Sequence, residues 1–196
     1  MRLDYPQLNP NSPGLVANNF IQMGNSSLFF NGIRVYYGQN IDVVYNSINI
    51  VNTSYTAGSA LITQYCSNTR VLNNILNGNM AYSYYVQTPY SGYESDHNNL
   101  YSTSSSPIYW NTNYPSLGAF QSSVGSDSNS FSLNPSFIVD SSFVTSQVSH
   151  NASAIPVSSI GIDIEGDTRH LTTPDIGADE FTPTGTDAGV IAIITP

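Results

Sequence analysis

A short pattern of residues that recurs along the first half of the chain limits its possible folds more than any other feature. The pattern is an apolar residue, an asparagine two places later, an asparagine or serine, and then a large apolar residue. It occurs at 16–20, 44–48 and 71–75, and more weakly at 96–100. Its asparagines are Asn18, Asn46, Asn73 and Asn98, which are 28, 27 and 25 residues apart. A drifting period in the mid-twenties, with no helical pattern between the copies, predicts a β-solenoid.

Short β-branched and aromatic runs, bounded by Gly, Pro, Asn and Ser, support the same fold. They predict strands at 32–37, 41–45, 48–51, 60–62, 70–72 and 82–86. In a solenoid, equivalent strands stack about 4.8 Å apart, so each corner residue lies over its counterpart in the next coil. Asparagine suits such a corner because it tolerates a left-handed backbone and its amide can bond to the asparagines above and below. The predicted class is all-β, with apolar side chains stacked inside.

The stretch from Tyr101 to Ser132 interrupts the period. It is rich in Ser, Asn and Tyr and contains the only tryptophan, Trp110. It predicts a long irregular excursion packed on one outer face of the solenoid. Strand-like segments return at 136–139, 154–164 and 175–181. We therefore expect the solenoid to cover residues 14–181, with residues 1–13 as a segment that can cap its N-terminal end.

A motif lies at the end of the predicted solenoid. The sequence Asp163-Ile164-Glu165-Gly166-Asp167-Thr168-Arg169 is followed by Pro174-Asp175-Ile176-Gly177-Ala178-Asp179-Glu180-Phe181. Together they resemble the closing signature, D-x-x-G-x-x-R and D-I-G-A-x-E-[FY], of bacterial right-handed parallel β-helix proteins of the pectin-lyase-like class. Asn134-Pro135-Ser136-Phe137 also resembles the last coil of such proteins. The resemblance implies a right-handed parallel β-helix that ends in a strand at 175–181.

The resemblance also implies a larger parent protein, because members of this class are often modules of multidomain surface or secreted proteins of the Bacteroidetes type. After Phe181, the sequence Thr-Pro-Thr-Gly-Thr has the composition of a linker. Residues 187–196 resemble the first strand of a following β-sandwich module. We therefore expect 182–196 to be a linker and the start of a neighbouring β module, and we expect the protein to be secreted or on the cell surface.

Charge narrows the choice of partners. The chain has four arginines, no lysine and 13 acidic residues, for a net charge of −9. This charge disfavours nucleic acid and anionic membrane surfaces as partners. The sequence also lacks a run of 18 apolar residues, so it predicts no membrane-spanning segment. The leading expectation is a non-catalytic structural or display module, for example in an adhesin. Its expected partners are neighbouring domains of the same chain, and an open solenoid end can also self-associate end to end.

The alternative expectation is a polysaccharide-binding module, or a fragment of an enzyme similar to pectate lyases or polygalacturonases. The candidate ligand-contacting residues are Tyr82, Tyr84, Tyr93, Glu94, Asp96, His97 and Trp110. The aromatic rings could stack on sugars, and Asp96 with His97 is the best local acid–base pair. Strand alternation predicts that Tyr82 and Tyr84 share one face while Tyr85 points to the other. We expect no catalytic residue.

Seven of the 13 acidic residues lie between Asp163 and Asp187. Asp163, Glu165 and Asp167, or alternatively Asp175, Asp179 and Glu180, could bind calcium through their carboxylate oxygens. The competing interpretation is that the aspartates accept hydrogen bonds from turn amides and that Arg169 pairs with a carboxylate. We expect no cofactor, with calcium as the alternative. The single cysteine, Cys66, lies in the apolar-rich run 61–75 and is predicted to be a buried core residue.

Overall fold

A computed structural model of the chain describes residues 1–24, 30–51, 58–137 and 144–183. These residues form mostly short strands, with one α-helix, α1 (Leu117–Val124). In chain order the strands are β1 (Arg2–Asp4), β2 (Gly14–Ala17), β3 (Phe20–Met23), β4 (Phe30–Tyr36), β5 (Gln39–Val44), β6 (Ser47–Ile50), β7 (Gly58–Gln64), β8 (Ser67–Leu72), β9 (Ile75–Asn79), β10 (Tyr82–Gln87), β11 (Glu94–Asp96), β12 (Asn99–Ser102), β13 (Ile108–Trp110) and β14 (Asn113–Tyr114).

The strands belong in rotation to three sheets. Sheet 1 has the order β1-β4-β7-β10-β13-β14, sheet 2 the order β2-β5-β8-β11, and sheet 3 the order β3-β6-β9-β12. Neighbouring strands pair in parallel, except in the terminal β13–β14 hairpin. The chain thus winds as a β-solenoid of about three turns, and the predicted parallel β-helix is confirmed. Residues 1–13 contribute β1 to the N-terminal edge of sheet 1, and Gln7 forms a bridge to Gln39.

The corner between sheets 2 and 3 consists of two columns of residues. The first column has a left-handed backbone, with φ of 52–61°, and contains Asn18, Tyr45, Asn73 and His97. The second column follows one residue later and is a ladder of amides that contains Asn19, Asn46, Asn74 and Asn98. Asparagine is favoured in one column for its backbone and in the other for its amide. Both columns therefore contain asparagine, and the sequence pattern does not distinguish an asparagine of the left-handed column from one of the amide ladder.

The predicted register of the repeats is therefore wrong by one residue for some copies. Strand pairing aligns Ala17 with Val44 and Val44 with Leu72. The sequence pattern instead matches Val44 with Val16 and with Val71. The repeat itself is real, and the error is confined to its phase.

The amide ladder has a direction. The Nδ2 of Asn19 donates to Oδ1 of Asn46 (2.7 Å), and Asn46 donates in the same way to Asn74 (2.9 Å). Asn74 donates to Asn98 (3.0 Å), and Asn98 donates to Oδ1 of Asp127 (3.0 Å). A carboxylate suits the last rung because it accepts this bond and carries no amide hydrogen that would need a further acceptor.

The core is made of side chains stacked in register between coils. Ile33, Leu61, Tyr84 and Ile108 form one such stack along the inner face of sheet 1, and all four are fully buried. Cys66 is 1% exposed and belongs to the same core, as predicted. Burial raises the pKa of its thiol, so it is an inert apolar packing group rather than a reactive one.

The stretch that interrupts the repeat covers the C-terminal end of the core rather than an outer face. Strand β13 extends sheet 1, and α1 then begins after Ser116, whose Oγ accepts a hydrogen bond from the Ala119 amide (3.2 Å). Phe120 of α1 is fully buried, and its ring lies 5.5 Å from those of Trp110 and Tyr114. The chain then rejoins the amide ladder at Asp127. We call α1 with these aromatic partners the end cap.

Residues 144–183, which we call the strap, run along the corner between sheets 2 and 3. The Asn18 and Asn73 amides donate to the carbonyls of Ile162 and Ile155 (2.8 Å each), and the Tyr45 hydroxyl also donates to Ile155 (2.7 Å). Apolar strap residues pack on this corner in a second core cluster, formed by Val44, Tyr45, Leu72, Ile75, Ala154, Val157, Ile160 and Ile176.

The strand predictions at 154–164 and 175–181 are wrong, and the closing motif forms no terminal strand. The Gly177 amide donates to the Asn73 carbonyl (2.9 Å), and the Ala178 amide to Oγ of Ser47 (3.0 Å), so these amides bond to the corner and not to a strand ladder. Gly177 has φ of 103°, which ends any extended run there. The predicted strand 136–139 lies partly, and the predicted neighbouring module wholly, outside the described residues.

Candidate ligand-binding groove

Three of the predicted ligand-contacting aromatics form the inside of the end cap. The Tyr84 and Tyr93 hydroxyls lie 2.9 Å apart, and the Tyr93 hydroxyl also lies 2.7 Å from Oγ1 of Thr63. The Trp110 ring is 5.4 Å from Tyr93 and 6.2 Å from Tyr84. Burial raises the pKa of both tyrosines. Tyr84 is fully buried, and Tyr93 and Trp110 are half-buried, so these rings pack against one another at the end of the solenoid.

Tyr82 lies on the outer face of sheet 1 with Tyr85, and the prediction that it shares a face with Tyr84 is wrong. The Tyr82 and Tyr85 rings are 5.4 Å apart, whereas Tyr84 points into the core. The reason is that Ser83 and Tyr84 are consecutive buried residues, which interrupts the alternation of the strand. The same interruption occurs at the small residues Gly32 and Ala60 in the strands below, so it is a property of the sheet.

Asp96 and His97 lie at the corner between sheets 2 and 3. Both Asp96 carboxylate oxygens accept hydrogen bonds from Asn129, one from its backbone amide and one from its side chain (2.8 Å each). His97 occupies the left-handed column, and its Nδ1 lies 3.4 Å from Asp96 without hydrogen-bond geometry. The Asp96 carboxylate therefore holds the chain that returns from the end cap.

Glu94 faces outward on sheet 2, beside an ion pair in which Asp42 is buried and the Arg70 side chain is 40% exposed. Arg70 donates from Nε to Asp42 (2.8 Å) and pairs with it a second time through Nη2, while Glu94 is the strand neighbour of Arg70 on the other side. The bond to Asp42 raises the pKa of Arg70. A groove of about 460 Å³ covers this charged row, and the loop residues Pro10 and Pro13 line its edge. It brings together one free carboxylate and one arginine that is already paired.

The acidic closing motif agrees in its main features with the interpretation that its aspartates accept hydrogen bonds from turn amides. Oδ1 of Asp163 accepts hydrogen bonds from the amides of Glu165, Gly166 and Asp167 (2.8–2.9 Å), and Oδ2 accepts the amide of Glu180 (2.8 Å). Burial opposes it, but these bonds lower the pKa of Asp163. Within the described ranges, no group of three or more His, Cys, Asp or Glu side chains could hold a metal ion. The Asp163, Glu165 and Asp167 set thus acts as a turn, with the Asp163 oxygens occupied by amides.

Arg169 is the centre of the strap. Its guanidinium lies 4.0 Å from the centre of the Tyr45 ring, and Nη2 donates to Oδ1 of Asn18 (3.0 Å) and to the carbonyls of Gly177 and Ala178. The pairing expected with a carboxylate is present at 3.4 Å, to Glu180. Burial lowers the pKa of Arg169, and the surrounding carboxylates oppose that effect. This arginine joins the strap to the first and second coils.

An open groove lies on the outer face of sheet 1. One row of side chains crosses neighbouring strands in the order Arg34, Ile62, Tyr85 and Tyr109. The Tyr85 and Tyr109 rings stack at 4.2 Å and within 8° of parallel, and burial next to Tyr109 raises the pKa of Tyr85 to about 12. The groove has a volume of about 410 Å³. We call it the sheet 1 groove.

Differences in side-chain length create the sheet 1 groove. Strand β7 contributes Gly58, Ser59 and Ile62, which form the floor, and the longer Gln64 at one end. The flanking strands contribute long side chains, Arg34 on one side and Tyr82 with Tyr85 on the other. Sequence reasoning selected Tyr82 but missed Arg34. The repeat period could not have found Arg34, because the step from Arg34 to Ile62 is 28 residues but the step from Ile62 to Tyr85 is only 23.

A column of tyrosines lines the neighbouring corner, between sheets 1 and 2. Tyr5, Tyr37 and Tyr65 all have left-handed φ of 52–56°, and their rings stack at 5.2 Å and 4.7 Å. Tyr36 contacts all three rings edge to face. The column shows that solenoid stacking alone brings aromatic rings together, because each ring repeats the conformation of the one below. Stacked tyrosines are therefore not in themselves a sign of a ligand site.

No protein-family model, curated protein or solved structure matches this chain. Among the described residues, no helix has the length and apolar character needed to cross a lipid bilayer.

Proposed function

We propose that this chain is a non-catalytic structural or display module of a secreted or cell-surface bacterial protein, in which the solenoid holds neighbouring modules in place. The supporting observation is that the reactive side chains are dispersed. Those that a polysaccharide-cleaving site would gather in one groove lie apart, in the end cap, at the Asp96 corner, on sheet 2 and in the strap. A fold alone does not assign a reaction, so this dispersal carries the proposal.

Several of the charged side chains also have structural partners that explain their presence. Asp42 with Arg70 joins β5 to β8, Asp127 ends the amide ladder, and Arg169 fastens the strap. Each of these groups is held by hydrogen bonds from the fold, which gives it a structural role.

We further propose that the parent is a multidomain surface protein of the Bacteroidetes type, with the pectin-lyase-like β-helix class as its source of modules, and with adhesion as one role. Support comes from the resemblance of the closing motif and from a surface of neutral polar residues with only 9% charged residues. In the structure this motif is part of the strap, so the resemblance lies in its residues.

The test of this proposal is a search for turnover. The chain is incubated with pectic, alginate and neutral polysaccharides, with and without calcium, and unsaturated products and new reducing ends are measured. We expect no turnover above the level of a heat-denatured sample. Turnover that Glu94→Ala or Asp96→Ala abolishes, but Asp4→Ala leaves intact, would replace the structural proposal with a catalytic one.

Polysaccharide binding is the second candidate function, and the sheet 1 groove is the observation that favours it. Tyr82 and Tyr85 form one wall of an open groove, and tyrosine rings stack on the apolar faces of sugars. Migration of the chain in native gels that contain dissolved polysaccharides tests this function. We expect Tyr82→Ala to remove any retardation, and Tyr90→Ala, which changes an exposed ring outside the groove, to preserve it.

A further inference from the structure

We propose that Tyr85 and Tyr109 form an oxidative modification site, at which a haem peroxidase and hydrogen peroxide join the two rings into a dityrosine cross-link. The link fastens β13, the strand that leads into the end cap, to β10 of the last full coil. It adds a covalent bond to the structural role proposed above, but its chemistry is independent of that role. Three features support it: the stacking of the two rings, their exposure and the shortage of other side chains that could cross-link the coils.

The Tyr85 and Tyr109 rings are stacked in register. The two residues are direct partners in the parallel pairing of β10 with β13, and their ring centres lie 4.2 Å apart with planes within 8° of parallel. Burial is the main cause of the raised pKa of Tyr85, about 12, and a side-chain hydrogen bond with Tyr109 adds to it, so the two hydroxyls are close together as well. Rings that overlap in this way place the Cε carbons, which flank each hydroxyl, opposite their counterparts.

The cross-linking reaction uses those carbons. The peroxidase removes one electron from each phenol, and each hydroxyl proton passes to solvent, which leaves two phenoxyl radicals whose unpaired electrons extend over the Cε carbons. The two electrons pair in a new Cε–Cε bond, and the hydrogen on each bonded carbon then moves to its phenol oxygen. The two tyrosines together lose two hydrogen atoms, and hydrogen peroxide is reduced to two molecules of water.

Stacking favours coupling of this pair over the neighbouring ring of Tyr82. The unpaired electron of a phenoxyl radical occupies a π orbital whose lobes project from the face of the ring, so parallel rings direct these lobes at each other. The Tyr82 ring lies 5.4 Å from Tyr85 and 6.1 Å from Tyr109, but its plane differs from theirs by 74° and 72°. These edge-to-face contacts do not align the lobes. The stacked rings of the tyrosine column between sheets 1 and 2 are further apart, at 4.7 Å and 5.2 Å.

The pair is also within reach of an oxidant. Tyr85 and Tyr109 are half-buried on the outer face of sheet 1, and Tyr85 lines the open sheet 1 groove. The chain has no lysine for an amide cross-link, and its single cysteine, Cys66, is buried. Burial also protects this thiol from competing oxidation. Tyrosine is therefore the side chain best suited to a covalent link between coils.

The link has a structural effect at the C-terminal end of the solenoid. Strand β13 has only three residues, and the β13–β14 hairpin and α1 follow it. A bond between Tyr85 and Tyr109 closes a loop of 24 residues (109 minus 85) and so reduces the conformational entropy of the unfolded chain. We expect the cross-linked end cap to separate less readily from the last full coil.

The test is oxidation of the whole chain in dilute solution with hydrogen peroxide and a haem peroxidase, followed by isolation of the monomer by size-exclusion chromatography. Dityrosine fluorescence measures the yield. A protease that cleaves after glutamate separates Tyr85 from Tyr109 because Glu94 lies between them. Mass spectrometry then detects joined peptides that lack two hydrogen atoms, and fragmentation locates the linked residues. We expect Tyr85–Tyr109 to be the main link.

Three phenylalanine variants test which hydroxyls the link needs. Tyr109→Phe and Tyr85→Phe keep a stacked ring but cannot form the second phenoxyl radical, so we expect both to lose the joined peptides. The matched control is Tyr82→Phe, which removes a hydroxyl from the neighbouring edge-to-face ring and should keep the link. Circular dichroism identical to that of the wild type shows that each variant retains its fold.

Urea unfolding gives a second measurement. Oxidation should raise the urea midpoint of the wild-type chain relative to that of equally oxidised Tyr109→Phe, since only the former carries the cross-link. Absence of joined peptides from the oxidised wild-type chain would overturn the proposal. A link from Tyr82 to Tyr85 formed in equal or greater yield would also overturn it, because stacking would then not select the pair.

Discussion

Replacing Asn74 by alanine should show how much the amide ladder contributes to stability. The Asn74 Nδ2 donates to Oδ1 of Asn98 (3.0 Å) and to the carbonyls of Val43 (2.9 Å) and Leu72 (3.0 Å). Its Oδ1 accepts from the backbone N (3.0 Å) and Nδ2 (2.9 Å) of Asn46. Asn46, Asn74 and Asn98 are fully buried, so water cannot replace these bonds in the alanine variant.

The size of the effect follows from those five bonds. A buried hydrogen bond contributes about 1 kcal/mol net, and a buried polar group left without a partner costs about 1–3 kcal/mol. Because the orphaned groups belong to one network, the costs are not additive, and we expect Asn74→Ala to lower the free energy of unfolding by about 4 kcal/mol. Such a loss is a large share of the stability of a typical domain.

Urea unfolding followed by far-UV circular dichroism measures this loss, and Asn19→Ala is the matched control. Asn19 is the half-buried first rung, with bonds to Asn46 (2.7 Å) and to the Ala17 carbonyl (3.0 Å), and water can reach it. We expect its replacement to cost about 1 kcal/mol. An equal loss of stability in the two variants would refute the argument that burial of the inner rungs makes the ladder strong.

Three further predictions concern the end cap and the strap. Phe120→Ala should cost about 3–5 kcal/mol and shift the fluorescence of Trp110 to longer wavelength, and unchanged emission would show that α1 does not seal the core. Burial and the nearby Asp163 raise the pKa of Asp179 from 3.8 to about 7. Its contribution to stability is therefore fully present below pH 3.8 and is lost as the pH rises through about 7, so Asp179→Asn should flatten that decline, and parallel pH curves would contradict it. Arg169→Ala should open the strap to thermolysin while the circular dichroism of the sheets persists, whereas equal cleavage rates would mean that other contacts suffice.

The solenoid could be predicted from the sequence because one conformation repeats in each coil. Stacking requires similar residues at equivalent positions, so the asparagines and inward apolar residues leave a periodic trace. The phase of the repeat, which decides which residue of one coil lies over which residue of the next, could not be predicted in the same way. Tyr45 occupies the left-handed column in one coil where Asn18 and Asn73 occupy it in others, and that exchange displaced the apparent asparagine by one residue.

The functional features were harder to predict because they depend on departures from the repeat. Tyr82 lies on the outer face because the alternation of the strand is interrupted at Ser83. In the sequence, Ser83 does not differ from any other short polar residue. The strap resembles a final coil in sequence, since its apolar residues are spaced as in a strand, but its amides bond to Asn73 and Ser47 on the corner. The groove that Arg34 shares with Tyr82 and Tyr85 depends on three-dimensional packing, which no residue pattern records.

The strap has a consequence for the order in which the chain can fold. Arg169 bonds to Asn18 across 151 residues, and Asn73 bonds to Ile155 across 82. Closing such long loops has an entropic cost, so we expect the strap to dock after the coils have formed. Docking also requires Asn18, Tyr45 and Asn73 to stand in one line, because a coil that slipped by a residue would turn its corner side chain away. The strap, which follows the three coils in the chain, therefore docks only on coils whose corner residues are aligned.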